Sequence, residues 1–255
     1  MEAKSAGKYM DGEHQMNQYT TWASLLRMYS REDKKPTVIL LLAALLLTTW
    51  RYYGSQAFYF RHLTSGFLLF SNISMTAEWY TYLSAFFLMG FVSIVVVKTI
   101  FKENLSDYGL QIGDWKFWVP AATGAGLIMI ILSYFSSKDP QFAAEYPLFK
   151  GAGESALSFA FHAAGYLLFY TGWEIFFRGF MQFGLRSRFG DWGGILVQMA
   201  LSCIVHIGKP DMEIYSAIIG AFFWGILVFR ARSLYPAILT HWILGISLDY
   251  FILFH

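Results

Sequence analysis

The chain alternates long apolar runs with short polar segments. The apolar runs cover residues 37–53, 76–97, 117–135, 156–177, 192–207, 214–229 and 234–254. Most of them are long enough to cross roughly 30 Å of hydrocarbon as a helix. The pattern therefore predicts an all-α membrane protein, a bundle of about seven transmembrane helices.

Two of the runs, 192–207 and 214–229, are short and could instead form one hairpin that enters and leaves the same face of the membrane. Such a hairpin would place Lys209 at membrane depth, where a charge is costly. We therefore prefer two true spans. Either choice leaves the next polar segment on the same side.

The polar segments define the organisation of the chain. Residues 1–35 have mixed charge and contain a candidate surface helix from Tyr19 to Tyr29. A signal peptide would place its apolar core near the N-terminus, whereas the first apolar run starts only at Thr37. We expect residues 1–35 to be a cytosolic tail and residues 36–255 to form a single transmembrane domain.

Charge sets the predicted orientation. With the N-terminus inside and the C-terminus outside, the inner segments carry 14 of the 19 Lys and Arg residues, as the positive-inside rule requires. Residues 106–118, between the second and third spans, alternate polar and bulky apolar side chains and should lie along the inner interface. We expect a multi-pass protein of the cell membrane.

Composition supports this class and excludes others. Hydrophobic residues make up 56% of the chain and charged residues only 14%, outside the range of a soluble domain of this length. The net charge of +2 is small and the basic residues lie beside the spans, so nucleic acid is not an expected partner. A lone cysteine, Cys203, excludes an intramolecular disulfide.

An acid and a base stand four residues apart within an otherwise apolar stretch from Ala156 to Leu185. Glu174 and Arg178 lie on one helix face and can pair, yet each charge alone at bilayer depth costs roughly 2.5–3.5 kcal/mol. One interpretation is an ion pair that fixes helix register. The other is a functional site.

Two histidines extend the candidate site. His206 closes the fifth span and His241 lies within the seventh. At about 1.5 Å per residue, Glu174, His206 and His241 come out roughly 16, 20 and 12 Å from the inner helix ends, so a single site is geometrically feasible. Asp249 and Glu213 are candidate auxiliary residues.

A carboxylate beside two imidazoles supports two mechanisms. Glu174 could act as a general base toward a water that attacks a peptide carbonyl, while the histidines position the water or stabilise the oxyanion. Alternatively, the same three side chains could hold zinc with an open position for water. Their separation in sequence forms no compact zinc signature, so the first mechanism, without a cofactor, is preferred.

The motifs together resemble a known family. A Glu174-Ile-Phe-Phe-Arg-Gly-Phe180 segment, a histidine ending the next span and a histidine in the final span resemble the CPBP family of CAAX-protease and bacteriocin-processing (Abi) membrane proteins. The resemblance covers roughly residues 108–250. It implies an all-helical intramembrane glutamic endopeptidase, once taken to be metal-dependent.

The chain departs from the family pattern at three positions. The first of two adjacent glutamates, usually assigned the catalytic role, is Trp173 here, so that Glu174 matches the second. A phenylalanine four residues before His206 is replaced by Ser202, and an asparagine or aspartate four residues after His241 by Gly245. Glu174 can serve as base only if the fourth span is rotated or shifted.

We therefore predict an intramembrane endopeptidase that hydrolyses a peptide bond of a membrane protein or lipidated peptide. Glu174 is the predicted base, His206 and His241 its partners, and Arg178 the charge that orients it. The alternative is a family member without protease activity, acting as a membrane scaffold, regulator or immunity protein. A small-solute or proton-coupled transporter is a third class.

Overall fold

A computed structural model describes residues 29–255, and within that range the chain is helical almost throughout, with no β-strand. The α-helices are α1 (Lys34–Tyr53), α2 (Gln56–His62), α3 (Ile73–Phe101), α4 (Trp115–Ser136), α5 (Pro140–Glu145), α6 (Ala156–Glu174), α7 (Gly184–Val205), α8 (Asp211–Ala231) and α9 (Tyr235–Phe254). Shorter 3₁₀ turns are Arg31–Asp33, Leu105–Tyr108 and Lys150–Glu154. The predicted surface helix lies almost wholly outside the described residues.

Wide π-helical turns occur in two regions of the bundle. In α3 these turns cover Phe86–Phe91 and Val97–Phe101, and a third stretch, Ile175–Phe183, joins α6 directly to α7. Such turns are rare and are found disproportionately at functional sites.

The all-α membrane class is confirmed. Five helices, namely α1, α3, α4, α8 and α9, are long and apolar enough to cross a membrane. The predicted spans 156–177 and 192–207 correspond to α6 with its π-helical extension and to the second part of α7. A count of seven spans and the orientation of the bundle remain predictions.

Side-chain caps fix where several helices begin. Asn72 accepts a hydrogen bond from the Met75 amide at 3.1 Å, and Ser155 accepts one from the Ser158 amide at 3.0 Å. Helix α7 is interrupted at Gly190, whose φ of +71° is a conformation that side chains with a Cβ rarely adopt. The apolar run 192–207 follows this break.

Helix α6 lies at the centre of the bundle, where it packs against α3 and α9. Its crossing with α3 is close because both helices carry glycine there. A Cβ on Gly172 would stand 2.6 Å from the Phe86 Cα, and one on Gly90 would stand 2.9 Å from the Gly172 Cα. The backbones can meet only because neither residue has a side chain.

A second close contact occurs where α8 meets α7 and the π-helical stretch. Gln182 and Gln198 are buried, and their amide groups donate to the carbonyls of Gly225 and Ala221 at 2.8 and 2.9 Å. Small residues on α8 leave those carbonyls accessible, as expected for packed membrane helices.

Replacing Gly172 by alanine should destabilise the protein by about 1–3 kcal/mol, because the added methyl group meets backbone that cannot move aside. Gly124→Ala is the matched control, since nothing lies within 4 Å of its Cβ position, and it should leave stability unchanged or raise it by up to about 1 kcal/mol. Thermal unfolding in one detergent measures both. Equal melting temperatures for the two variants would contradict the close crossing.

Topology reporters test the orientation. Alkaline phosphatase fused after His255 should be active, because the charge distribution places that end outside, whereas the same enzyme fused after Arg188 should be inactive. Green fluorescent protein fusions at the same sites should show the reverse pattern. An active phosphatase at Arg188 would invert the predicted orientation.

Candidate active site

Glu174 is the central acid of the site, and its side chain is 0% exposed. Its Oε1 atom accepts a hydrogen bond from Arg178 Nη1 at 3.1 Å and lies 2.7 Å from His241 Nδ1. The second oxygen, Oε2, is buried without a hydrogen-bond partner among residues 29–255. One carboxylate oxygen is therefore held by two nitrogen donors while the other is left for a further ligand.

The helix changes type at this residue. Glu174 is the last residue of α6, and the π-helical stretch starts at Ile175. The wider i→i+5 turns alter the angular register of the residues that follow relative to those before. This is a local shift of the kind that the fourth span needs if Glu174 is to face the site.

Arg178 is almost fully buried, so its charge depends on partners within the protein. Glu174 compensates the charge, and the guanidinium lies over the rings of Trp224 and Phe177, with its central carbon 5.5 and 6.0 Å from the ring centroids. Ion pairing and cation–π contacts together make a buried arginine tolerable.

His241 is held between two aromatic rings. Its ring centroid lies 3.9 Å from that of Trp224 and 4.1 Å from that of Tyr170. Trp224 is itself fixed, because its Nε1–H donates to Thr240 Oγ1 at 2.9 Å. When Glu174 is ionised it accepts from Nδ1–H, which leaves Nε2 as the basic nitrogen of the neutral ring.

His206 lies apart from this contact pair. It follows the last residue of α7, and its Nδ1 is 2.6 Å from the Ser202 carbonyl oxygen, to which Nδ1–H donates. Its ring meets Trp173 edge-on with 5.6 Å between centroids. The structure thus brings Glu174, Arg178 and His241 into contact but places His206 against Trp173 rather than in hydrogen-bond contact with Glu174.

Trp173 belongs to the hydrophobic core, with 4% of its surface exposed. Its ring packs on Phe169, Phe177 and Trp50 with centroid distances of 5.6, 4.7 and 5.9 Å. The position at which the sequence pattern places a first glutamate is therefore filled by an apolar ring beside His206.

The two auxiliary candidates lie in other contacts. Glu213, near the start of α8, accepts a hydrogen bond from the Tyr146 hydroxyl at 2.8 Å. Asp249 contacts a histidine, His162, rather than His241. Next to Gly245 stands Tyr170, whose hydroxyl oxygen would be 2.6 Å from a Cβ there, so an asparagine would not fit unless Tyr170 moved.

A second buried ionisable cluster joins three helices. His162 on α6 has its Nδ1 2.7 Å from Glu78 Oε1 on α3 and its Nε2 2.8 Å from Asp249 Oδ2 on α9. Tyr82 also donates to Glu78, at 3.3 Å. All four residues are at most 1% exposed.

Sequence reasoning missed His162 and Glu78, although a signal was present. Both are ionisable residues within apolar runs that were assigned as spans, and such residues are functional candidates by default. Tyr170 and Trp224, which fix the His241 ring, were also missed. Aromatic residues are so frequent in these spans that nothing in the sequence distinguishes these two.

The three residues of the zinc alternative do not converge in the structure. Within residues 29–255, no group of three or more His, Cys, Asp or Glu side chains converges on one point that could hold a metal ion. Glu174 and His241 supply two donors, and His206 lies elsewhere.

Comparison with known proteins finds one family model that matches the part of the chain that contains this site. Residues 155–246 match the family model Rce1-like, which is described as type II CAAX prenyl endopeptidase Rce1-like. Because of this similarity, residues 155–246 are called the Rce1-like segment. The resemblance expected from the motifs is thereby confirmed over residues 155–246. No match was found among curated proteins or among solved structures.

The Rce1-like segment contains some of the ionisable residues described above and not others. Glu174, Arg178, His206 and His241 all lie inside residues 155–246. Glu78 and Asp249 lie outside the matched range, whereas their partner His162 lies within it. The second cluster therefore connects the Rce1-like segment to the rest of the bundle.

Removing His162 should destabilise the protein by about 3–5 kcal/mol, because His162→Ala leaves two buried carboxylates without their shared partner. His255→Ala at the exposed C-terminus is the control and should change nothing. Thermal unfolding in detergent or chemical unfolding in bicelles measures the difference. A His162→Ala protein as stable as the control would show that the contacts contribute nothing.

Proposed function

We propose that this protein is an intramembrane endopeptidase that hydrolyses a peptide bond of a membrane-associated substrate, a membrane protein or lipidated peptide, with Glu174 as general base. The observation that carries the proposal is the buried contact of Glu174 with Arg178 and His241 inside a segment that matches a protease family. Localisation in the cell membrane is part of the same proposal.

The contacts of Glu174 suggest different roles for its two carboxylate oxygens. Oε1 is held by Arg178 and His241, so the carboxylate cannot rotate freely. Oε2, which has no protein partner among residues 29–255, is the atom proposed to take a proton from the attacking water. Arg178 then acts by keeping the carboxylate oriented.

When their rings are neutral, the two histidines are proposed to hold the attacking water rather than to stabilise an oxyanion. In both rings Nδ1 faces an acceptor, Glu174 for His241 and the Ser202 carbonyl for His206. A neutral ring then presents Nε2 as a hydrogen-bond acceptor, which can hold a hydrogen of water but cannot donate to an oxyanion. Donation to an oxyanion would require a protonated ring.

Burial implies a conformational step. Because Glu174 is 0% exposed and His241 is sandwiched between rings, a peptide bond reaches them only if the surrounding helices separate. Opening that admits a substrate, followed by closure around it, is a common part of enzyme mechanisms.

Trp173 favours a second candidate, a family member that acts without cleavage as a membrane scaffold, regulator or immunity protein. An apolar ring fills the position of the first glutamate and contributes to the hydrophobic core. On this view the Glu174 contacts only hold α6 against α9.

Glu174→Gln should lower the cleavage rate by about 10²–10⁴-fold, because glutamine cannot accept the proton. N-terminal sequencing of the membrane proteome, in cells with wild-type and variant chains, identifies cleavage products that disappear. Glu154→Gln, in the outer connector, is the matched control and should retain every product.

The two candidate functions give opposite results in this experiment. Full retention of every product by a stably folded Glu174→Gln protein would refute the protease proposal. Retention of a cellular phenotype by that variant, without any product in the wild type, would support the non-catalytic alternative.

A further inference from the structure

A cavity of about 380 Å³ lies at the opposite end of the Rce1-like segment from the second cluster. It opens where α4 begins and α8 ends, on the face predicted to be cytosolic. Its lining residues are Gln111, Gly113, Asp114, Arg230 and Arg232. None of them belongs to the candidate active site.

Backbone contacts give the cavity a fixed shape. The Asp114 amide donates to the Ala231 carbonyl at 2.8 Å, and the Leu234 amide donates to the Gly109 carbonyl at 2.9 Å. Gly113 has a φ of +61°, and a Cβ there would stand 2.3 Å from the Ala231 carbonyl oxygen. Backbone hydrogen bonds thus join the two chain segments, in addition to any contacts of the lining side chains.

The charges in the cavity leave one arginine available. Arg230 pairs with Asp114 at 2.7 Å and lies over the Phe117 ring at 4.3 Å. This hydrogen bond holds the pKa of the Asp114 carboxyl below its usual value, so the acid is ionised and neutralises Arg230. Within the described residues 29–255, Arg232 has no ion-pair partner, and the cavity keeps one positive charge.

The surroundings carry aromatic residues of the kind found at headgroup depth. Trp115 begins α4 with 54% of its surface exposed, and the Trp118 ring lies 6.5 Å from the Tyr235 ring at the start of α9. Exposed tryptophan and tyrosine at helix ends are typical of the membrane interface. Basic pockets between spans on the cytosolic side bind anionic lipid headgroups.

We propose that this cavity binds the phosphate of an anionic membrane phospholipid, with Arg232 as the main contact. The ligand approaches laterally from the inner leaflet, between the first turn of α4 and the last turn of α8. This site is independent of the proposed proteolysis, because no lining residue contacts Glu174, His206 or His241.

Native mass spectrometry of the full chain tests the proposal, with titration of phosphatidylglycerol and of phosphatidylcholine. Wild type should bind the first phosphatidylglycerol more tightly than phosphatidylcholine. Arg232→Asn should reduce that preference about fivefold, the effect of one basic charge near the surface. Asparagine tolerates the left-handed backbone of Arg232, φ +53°, so the fold should persist.

A second variant should act in the opposite direction. Asp114→Asn frees Arg230 and keeps a side-chain oxygen that can cap α4, so it should strengthen phosphatidylglycerol binding about fivefold. Lys98→Gln, a basic residue of the same face outside the cavity, is the matched control and should match wild type.

Several results would overturn the proposal. Equal binding of the two lipids by wild type, or an unchanged preference in Arg232→Asn, would exclude an anionic lipid site. Binding of inorganic phosphate alone, lost in Arg232→Asn but without any preference between the lipids, would identify a soluble phosphate as the ligand instead.

Discussion

A carboxylate buried within an apolar bundle must have its charge compensated by the protein, and the region around Glu174 is built to do so. A charge that lost its partner at such a site would cost several kcal/mol. Arg178 on the same helix and His241 on α9 both contact Glu174 Oε1. The rings of Trp224 and Tyr170 then hold the histidine in place.

Helices α6 and α9 meet in a second polar contact. His162 lies earlier on α6 and Asp249 later on α9, so the His162–Asp249 and Glu174–His241 contacts fix this antiparallel pair at two depths. On its other side α6 touches α3 through Gly172, where no sliding is possible without a backbone clash. These constraints set both the height and the rotation of Glu174.

The family comparison and the geometry bear on different questions. The match over residues 155–246 shows that this segment is similar to the type II CAAX prenyl endopeptidases. The structure adds which side chains surround the acid. Trp173 packs in the core beside His206, and Tyr170 fills the space next to Gly245. An active enzyme would therefore have to work with a single carboxylate.

The sequence by itself determined the class of protein, the position of the apolar runs and three of the residues that meet at the site. Hydrophobic length and charge asymmetry are local properties, and the Glu174–Arg178 contact follows from a spacing of one helical turn. Depth counting also placed His241 within reach of Glu174. These inferences need no knowledge of how the helices are arranged.

Only the tertiary structure decided which side chains face one another. A depth count gives height along a span but not rotation about it, so it could not separate His206 from the Glu174 contacts or pair Asp249 with His162. The π-helical turns after Glu174 change that rotation, and they leave no signature in the apolar pattern. Rotation is set by the contacts of neighbouring helices, here the glycine crossing of α6 with α3 and the polar contacts of α6 with α9.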